Sequence, residues 1–256
     1  MPAKAISQNL NDPNGEGWVD SSVYEKPDAQ IDYNTAIDYW SSVPASVEGV
    51  LGGYGPNTPV PKADIVGSST FLRKLQTRME CPSGAERLTL DVGAGIGRIT
   101  RDFLWKVSDK CDLMEPVEPF LRQMEQEVAG LKRNGKLGEI YPVGMQEWVC
   151  PPEKEGKYWL LWCQWCVGQL PDDALVEFWQ RCKVALMKNG YGTLIVKENI
   201  SPYEDIFDET DSSVTRTDAK FRDLFQRAGY KLIASDMQKG LPRELYRVRM
   251  YCLKPL

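Results

Sequence analysis

The stretch with the densest chemical potential runs Leu88-Thr-Leu-Asp91-Val-Gly93-Ala-Gly95-Ile-Gly97-Arg98. A strand that empties into glycines and then opens a helix lets backbone approach a ligand closely and turns helix N–H groups toward it. The spacing Gly93-x-Gly95-x-Gly97, with an acid just ahead of it, sets the loop apart from a bare GxGxxG, which alone is ambiguous with dinucleotide binding. Arg98, next after the glycines, is the natural bidentate partner for a carboxylate. Glu115 closes the following strand, where an acid can accept both hydroxyls of a ribose.

What the chain lacks is as informative. It has no histidine, which excludes imidazole bases, Ser-His-Asp triads and His-based metal sites, so any proton acceptor must be another group. Cys163-Gln-Trp-Cys166 is formally a CxxC, but no further pair of ligands at zinc spacing accompanies it; we expect packing and no metal. The seven cysteines are odd in number and scattered, which suits free thiols. A net charge of −5 argues against a nucleic-acid partner and favours a cationic one. No apolar run approaches the ~20 residues of a membrane span, and residues 1–12 lack a secretory signal, so no membrane partner and a cytoplasmic location, with the nucleus as a second, are expected.

These residues need a scaffold, and the 256-residue chain, 42% hydrophobic and 26% charged, is long enough to bury one enlarged α/β domain. Residues 1–30 are polar and aperiodic and read as a flexible leader, followed by a single domain over 31–256. Within it, 31–80 form an N-terminal helical cap: a short amphipathic helix from Ile31 to Trp40, the interruption Leu51-Gly-Gly-Tyr-Gly-Pro56, and a helix from Ser68 to Met79 capped by Ser68 or Ser69. From 81 onward strands alternate with helices, which predicts a largely parallel sheet covered on both faces. The strands are expected over 88–92, 111–115, 140–143, 158–163, 191–197, 230–235 and 246–253. Helices are expected over 98–105, 119–131, 172–187 and 217–228, the third stopped by Asn189-Gly190. With two final strands unseparated by a helix, the fold class is α/β, a Rossmann-like seven-stranded methyltransferase fold with an N-terminal helical extension, by analogy of layout.

Specific stretches carry a resemblance. They are Tyr39-Trp40, Leu51-Gly-Gly-Tyr-Gly55, Leu90-Asp-Val-Gly-Ala-Gly-Ile-Gly-Arg-Ile-Thr100, Trp162-Cys-Gln-Trp165, Lys197-Glu-Asn199, Asp211-Ser-Ser-Val214 and Leu241-Pro-Arg-Glu-Leu-Tyr246. Together and in this order they resemble the protein N-terminal (α-N) methyltransferases of the X-Pro-Lys type, in a fungal-like form, over roughly 31–254. The resemblance implies S-adenosylmethionine as cofactor, S-adenosylhomocysteine as product, and as acceptor the free α-amine of proteins beginning X-Pro-Lys after Met removal, ribosomal proteins among them. A monomer is expected. Asp91, Gly93, Gly95, Arg98 and Glu115 would then hold the cofactor, with Met145 and Gln146 flanking the adenine and Gln164 along it. Trp40, Leu51, Gly52, Trp165 and Tyr246 would shape the slot for the first two substrate residues. Asn199 would hold the first peptide carbonyl, while Asp208, Asp211 and Ser213 face the amine and the third-position Lys.

In-line displacement at a sulfonium requires a neutral amine held about 3 Å from the methyl carbon in a water-poor pocket, and aromatic walls supply one. Where the family has Gly-His-Leu, this chain has Gly168-Gln169-Leu170. Asp211 then becomes the expected proton acceptor, with Gln169 an orienting hydrogen-bond partner and Asn199 completing the catalytic group. A small-amine methyltransferase, or a weakly active protein that binds cofactor and peptide, are the alternatives. Plainer readings also exist: Asp211-Ser-Ser-Val as the cap of the next helix, 203–209 as an acidic loop, Lys132-Arg133 as a solvated helix end, and Trp105, Trp159 and Trp179 as core.

Overall fold

A computed structural model describes residues 25–256. Most of the expected leader lies outside the described residues; its last part, Pro27–Gln30, forms a 3-10 turn. A seven-stranded sheet of order β3-β2-β1-β4-β5-β9-β8 forms the centre. Its strands are β1 (Leu88–Val92), β2 (Lys110–Met114), β3 (Leu137–Tyr141), β4 (Tyr158–Gln164), β5 (Thr193–Ile200), β8 (Tyr230–Met237) and β9 (Arg247–Pro255). The first five run parallel, and β9 inserts antiparallel between β5 and β8. Continuous apolar runs such as Tyr158-Trp-Leu-Leu-Trp162 make this possible, because strands buried on both faces need no polar alternation.

Helices cover both faces: α1 (Tyr33–Ser42), α2 (Val47–Val50), α3 (Val60–Lys74), α4 (Arg98–Asp102), α5 (Glu118–Glu127), α6 (Ala129–Arg133), α7 (Asp172–Ala185) and α8 (Asp218–Arg227). One apolar layer gathers Trp148, Trp179, Phe221, Phe225 and Tyr251; the other gathers Phe71, Phe103, Trp159 and Trp162. Trp159 and Trp179 are therefore core, while Trp105 is only partly buried. The seven cysteines are free thiols, and Cys166 Sγ donates to the Val92 carbonyl at 3.3 Å. Among the described residues no helix is long and apolar enough to cross a membrane.

Several boundaries move, each for a local reason. Helix α3 begins at Val60, ahead of the expected Ser68, with Pro61 in the first turn where a missing N–H costs nothing; Ser68 lies inside the helix, its hydroxyl turned to Lys197 Nζ at 2.9 Å. The stretch 119–131 breaks at Val128 into α5 and α6. Asn189-Gly190 does not stop α7, which ends at Ala185; both residues have positive φ in the turn before β5.

The largest departure is at 206–215, where an antiparallel ribbon of β6 (Ile206–Asp208) and β7 (Ser213–Thr215) stands apart from the main sheet. Asp211 and Ser212 lie in the ribbon turn, with Ser212 at φ 53°, so Asp211 does not cap the following helix; Thr217 caps α8, accepting from Lys220 N at 3.1 Å. Arg216, fully buried, fastens this ribbon to the 167–170 segment through the carbonyls of Val167 (3.1 Å) and Leu170 (2.6 Å) and through Asp172 Oδ1 (2.8 Å). The N-terminal extension straps onto the same region: Asp32 N donates to Ser212 Oγ at 2.8 Å, and Asp172 N donates to Asp28 Oδ2 at 3.0 Å.

Candidate active site

The glycine loop between β1 and α4 forms one end of a deep cavity. Gly93, Gly95 and Gly97 all have positive φ (62°, 57° and 77°), the left-handed region that favours glycine. At Gly93 a Cβ would also sit 2.5 Å from that of Cys166, so loop and β4 terminus close up only around a bare backbone. Gly93, Gly95, Arg98 and Glu115 line this cavity, as do Met145, Gln146 and Gln164. The far wall comes from the N-terminal extension, with Ala36, Ile37, Trp40 and Val50.

Asp91 behaves differently. It is buried, accepts from Thr100 Oγ1 at 2.7 Å and does not line the cavity, so it steadies the loop from behind instead of touching a ligand. Glu115 receives the N–H of Gly95 on Oε2 (2.7 Å) and of Val117 on Oε1 (2.9 Å), leaving further lone pairs facing the cavity. Arg98 Nη2 is held by Asp64 at 2.7 Å, whereas its Nη1 is buried with no hydrogen-bond partner among the described residues. Gln164 is likewise anchored, donating to Asp64 Oδ1 at 2.9 Å and accepting from Trp162 Nε1 at 3.0 Å.

A second, smaller cavity adjoins the first, sharing Trp40, Trp165, Cys166 and Gln169 as a common wall. Its other lining residues include Glu198, Asn199, Asp211 and Ser213. Trp165 takes the left-handed conformation (φ 54°) at the end of β4, tied by its N–H to the Lys197 carbonyl at 3.0 Å. A non-glycine residue there costs of order 1 kcal/mol, strain of the kind that gathers at working sites. Gln169, with its amide nitrogen toward Asp211, donates to that residue's carbonyl at 3.1 Å and accepts from Trp40 Nε1 at 3.3 Å. The residue in the histidine position thus links an aromatic wall to the ribbon turn. Ser213 Oγ donates to Asp211 Oδ1 at 2.6 Å.

Four expected substrate residues lie elsewhere. Leu51 is fully buried against Val60 and Leu245 and lines neither cavity. Gly52 is exposed at φ 62° in the turn that ends α2, where Gly53 N donates to the Glu48 carbonyl at 2.8 Å; the glycines of this stretch serve that turn. Tyr246 is half-buried and lines neither cavity, as does Asp208, which accepts from Thr210 N at 2.9 Å. Burial, then the Asp208 charge, pushes the Tyr246 hydroxyl up. Two further buried residues matter here. Glu198, beside Asn199, lines the second cavity, and Asp64, whose only signal in the sequence is a charge on the buried face of α3 with Val60, Ser68 and Phe71, holds Arg98 and Gln164 from behind.

Burial raises several of these acids. It pushes Asp91 up to about 7 against the opposing Thr100 bond, and Glu115 up to about 7 against the Val117 and Gly95 N–H groups. Burial also raises Asp211 and Glu198. A carboxylate whose folded value exceeds its unfolded one binds more protons folded, so stability falls as pH rises from the ordinary carboxylate range toward the raised value. The depressed acids Asp64, Asp172 and Asp218 act oppositely but below that window, and no histidine titrates within it. Calorimetry of the ligand-free protein is therefore expected to show Tm falling by several degrees between about pH 5 and about pH 8, since ~1 kcal/mol moves Tm by about 2–4 °C at this size. A flat or rising Tm would refute the raised values.

The comparisons with known proteins fit this geometry. A family model described as AdoMet-dependent proline di-methyltransferase matches residues 28–254. The chain belongs to that family. Among curated relatives of this AdoMet-dependent proline di-methyltransferase family member, alpha N-terminal protein methyltransferase 1 of Schizosaccharomyces pombe is 42% identical over 224 residues, 87% of this chain and 96% of that protein. N-terminal Xaa-Pro-Lys N-methyltransferase 1 of Xenopus tropicalis is 33% identical over 222 residues, covering 87% and 95%. A solved SAM-dependent methyltransferase of Leishmania major superposes with a TM-score of 0.75 at 35% identity, covering 87% of this chain and 82% of that one. A phosphoethanolamine N-methyltransferase of Haemonchus contortus, at 16% identity and TM-score 0.63, shares the fold alone. The protein is an S-adenosylmethionine-dependent methyltransferase with a Rossmann-like core.

Proposed function

We propose that the protein methylates the free α-amine of proteins whose N-terminus reads Xaa-Pro-Lys once Met is removed; its Xenopus relative is named for N-methylation at an N-terminal Xaa-Pro-Lys. The observation that carries this reading is the second cavity, which brings Asn199, Asp211, Ser213 and Gln169 together across the Trp40–Trp165 wall from the glycine loop. Ribosomal proteins with such N-termini are the acceptors we expect, met in the cytoplasm or nucleus by a monomeric enzyme.

Bound in the first cavity, the cofactor would supply an electrophilic methyl group on a sulfonium. The residues present fit it: the Arg98 Nη1 donor suits its carboxylate, Glu115 its ribose, and Met145 and Gln146 its adenine. Trp40 and Trp165 exclude water where the amine enters, and their faces suit a cationic product. An α-amine has a reference pKa near 8, so presenting it neutral at pH 7 costs only about 1.4 kcal/mol. Asp211, raised by burial, is the proton acceptor we assign. Gln169 carries no titratable proton; it holds Trp40 and the Asp211 backbone in register.

Mass spectrometry of peptides beginning Ser-Pro-Lys or Pro-Pro-Lys, incubated with protein and S-adenosylmethionine, tests the reading. Methyl-sized steps are expected on free peptides and none on N-acetylated copies. Absence of steps on both, with cofactor binding confirmed, would sink it. The relatives' names lend no support to a small-amine acceptor.

A further inference from the structure

We propose that Asp64, on α3 of the N-terminal extension, is the positioning residue that presents Arg98 to the cofactor carboxylate and, through Lys197, braces the Trp165 wall of the acceptor cavity. The proposal rests on the reading that Arg98 grips that carboxylate.

Asp64 is fully buried. Its Oδ2 accepts from Arg98 Nη2 at 2.7 Å; its Oδ1 accepts from Gln164 Nε2 at 2.9 Å and from Lys197 Nζ. Lys197 Nζ also donates to the Asp64 backbone carbonyl at 3.1 Å and to Ser68 Oγ at 2.9 Å. Burial pushes the Asp64 carboxyl up, but the Lys197 and Arg98 charges outweigh it and keep the group ionised. One carboxylate thus faces two cations that are themselves buried, Arg98 at 4% exposure and Lys197 at 0%.

Around Asp64 the two cations outnumber the one carboxylate, with the buried Asp91 the next acid to feel Arg98, in a low-dielectric interior where a poorly compensated ion is costly. The unpartnered Arg98 Nη1 marks where compensation enters, because Arg98 lines the cofactor cavity. A carboxylate arriving there meets a guanidinium already pinned at Nη2 by Asp64, with Nη1 free to donate without reorienting. The other cation serves the neighbouring cavity. Lys197 Nζ lies 5.7 Å from the centre of the Trp165 ring, and the Lys197 carbonyl holds the Trp165 N–H. A single buried acid on the extension therefore sets the geometry of both walls.

Asp64→Asn keeps the shape but offers one acceptor oxygen where Arg98, Gln164 and Lys197 all donate, so an amide N–H would oppose a donor. Titration calorimetry with S-adenosylhomocysteine and with 5′-methylthioadenosine, which lacks the amino-acid end, separates positioning from general damage. Wild type is expected to favour S-adenosylhomocysteine; Asp64→Asn should cut that preference about tenfold, the scale of one charged hydrogen bond, with 5′-methylthioadenosine binding unchanged. Equal weakening of both ligands, or of neither, would overturn the proposal. Arg98→Met should erase the preference; if it does not, the carboxylate lies elsewhere and the underlying reading fails, independently of Asp64. Hydrogen exchange on the unaltered protein gives a second test. S-adenosylhomocysteine, but not 5′-methylthioadenosine, should slow exchange across residues 60–74 and around Trp165, and equal protection by the two ligands would refute the link.

Discussion

Asp211→Asn is expected to lower kcat on an Xaa-Pro-Lys peptide by about a hundredfold or more while S-adenosylhomocysteine binds as before, the scale of a lost general base. The substitution is nearly isosteric, and the Ser213 hydroxyl, which donates to Asp211 Oδ1 at 2.6 Å, still finds an oxygen. What disappears is the ability to take a proton. The chain has no histidine, and Gln169 spends its amide on Trp40 and the Asp211 carbonyl, so no imidazole stands in reserve. Because burial raises Asp211, wild-type kcat should fall as pH drops through that raised value, and this acid limb should vanish in the variant. Turnover unchanged by the substitution would remove Asp211 from the chemistry.

Arg98→Met should weaken S-adenosylhomocysteine binding by about a hundredfold in titration calorimetry, since hydrogen bonds to charged groups contribute ~1.5–3 kcal/mol each. The peptide KM at saturating cofactor should stay close to wild type. The fold tolerates the change because Asp64 retains Lys197 as its counter-ion, leaving no orphaned buried charge. A loss below about threefold, less than one such bond, would place the cofactor carboxylate away from Arg98.

Much of the architecture was legible because its signals are local. The glycine run, the apolar strands and the absence of a helix before the last strand predict the seven-stranded sheet, and Trp40, Trp165, Gln169 and Asn199, singled out in the sequence, line the cavities. The ribbon was not legible: Ile206-Phe-Asp208 and Ser213-Val-Thr215 are too short to alternate, and their pairing depends on Arg216 reaching Val167, Leu170 and Asp172. Leu51 misled because a motif shared with a family does not say which of its residues face a ligand; here Leu51 packs and the adjacent Val50 lines the cavity. Asp64 was invisible for a different reason. Its partners Arg98, Gln164 and Lys197 are distant in sequence, and a lone acid in a helix carries no mark of what it will meet.

Strand β9 bears on how the protein is made. It is the last strand in sequence yet stands inside the sheet, with Asn199 opposite Val248 on one side and Asp236 opposite Met250 on the other. During synthesis from the N-terminus, β5 and β8 cannot pair with their neighbour until Arg247 and the residues after it leave the ribosome. Until then both present raw edges, the kind that invite pairing with another nascent chain. Lys197 and Asn199 ride on one of those edges, so the site is finished last, and a chain cut short before β9 exposes an adhesive sheet in place of a catalyst.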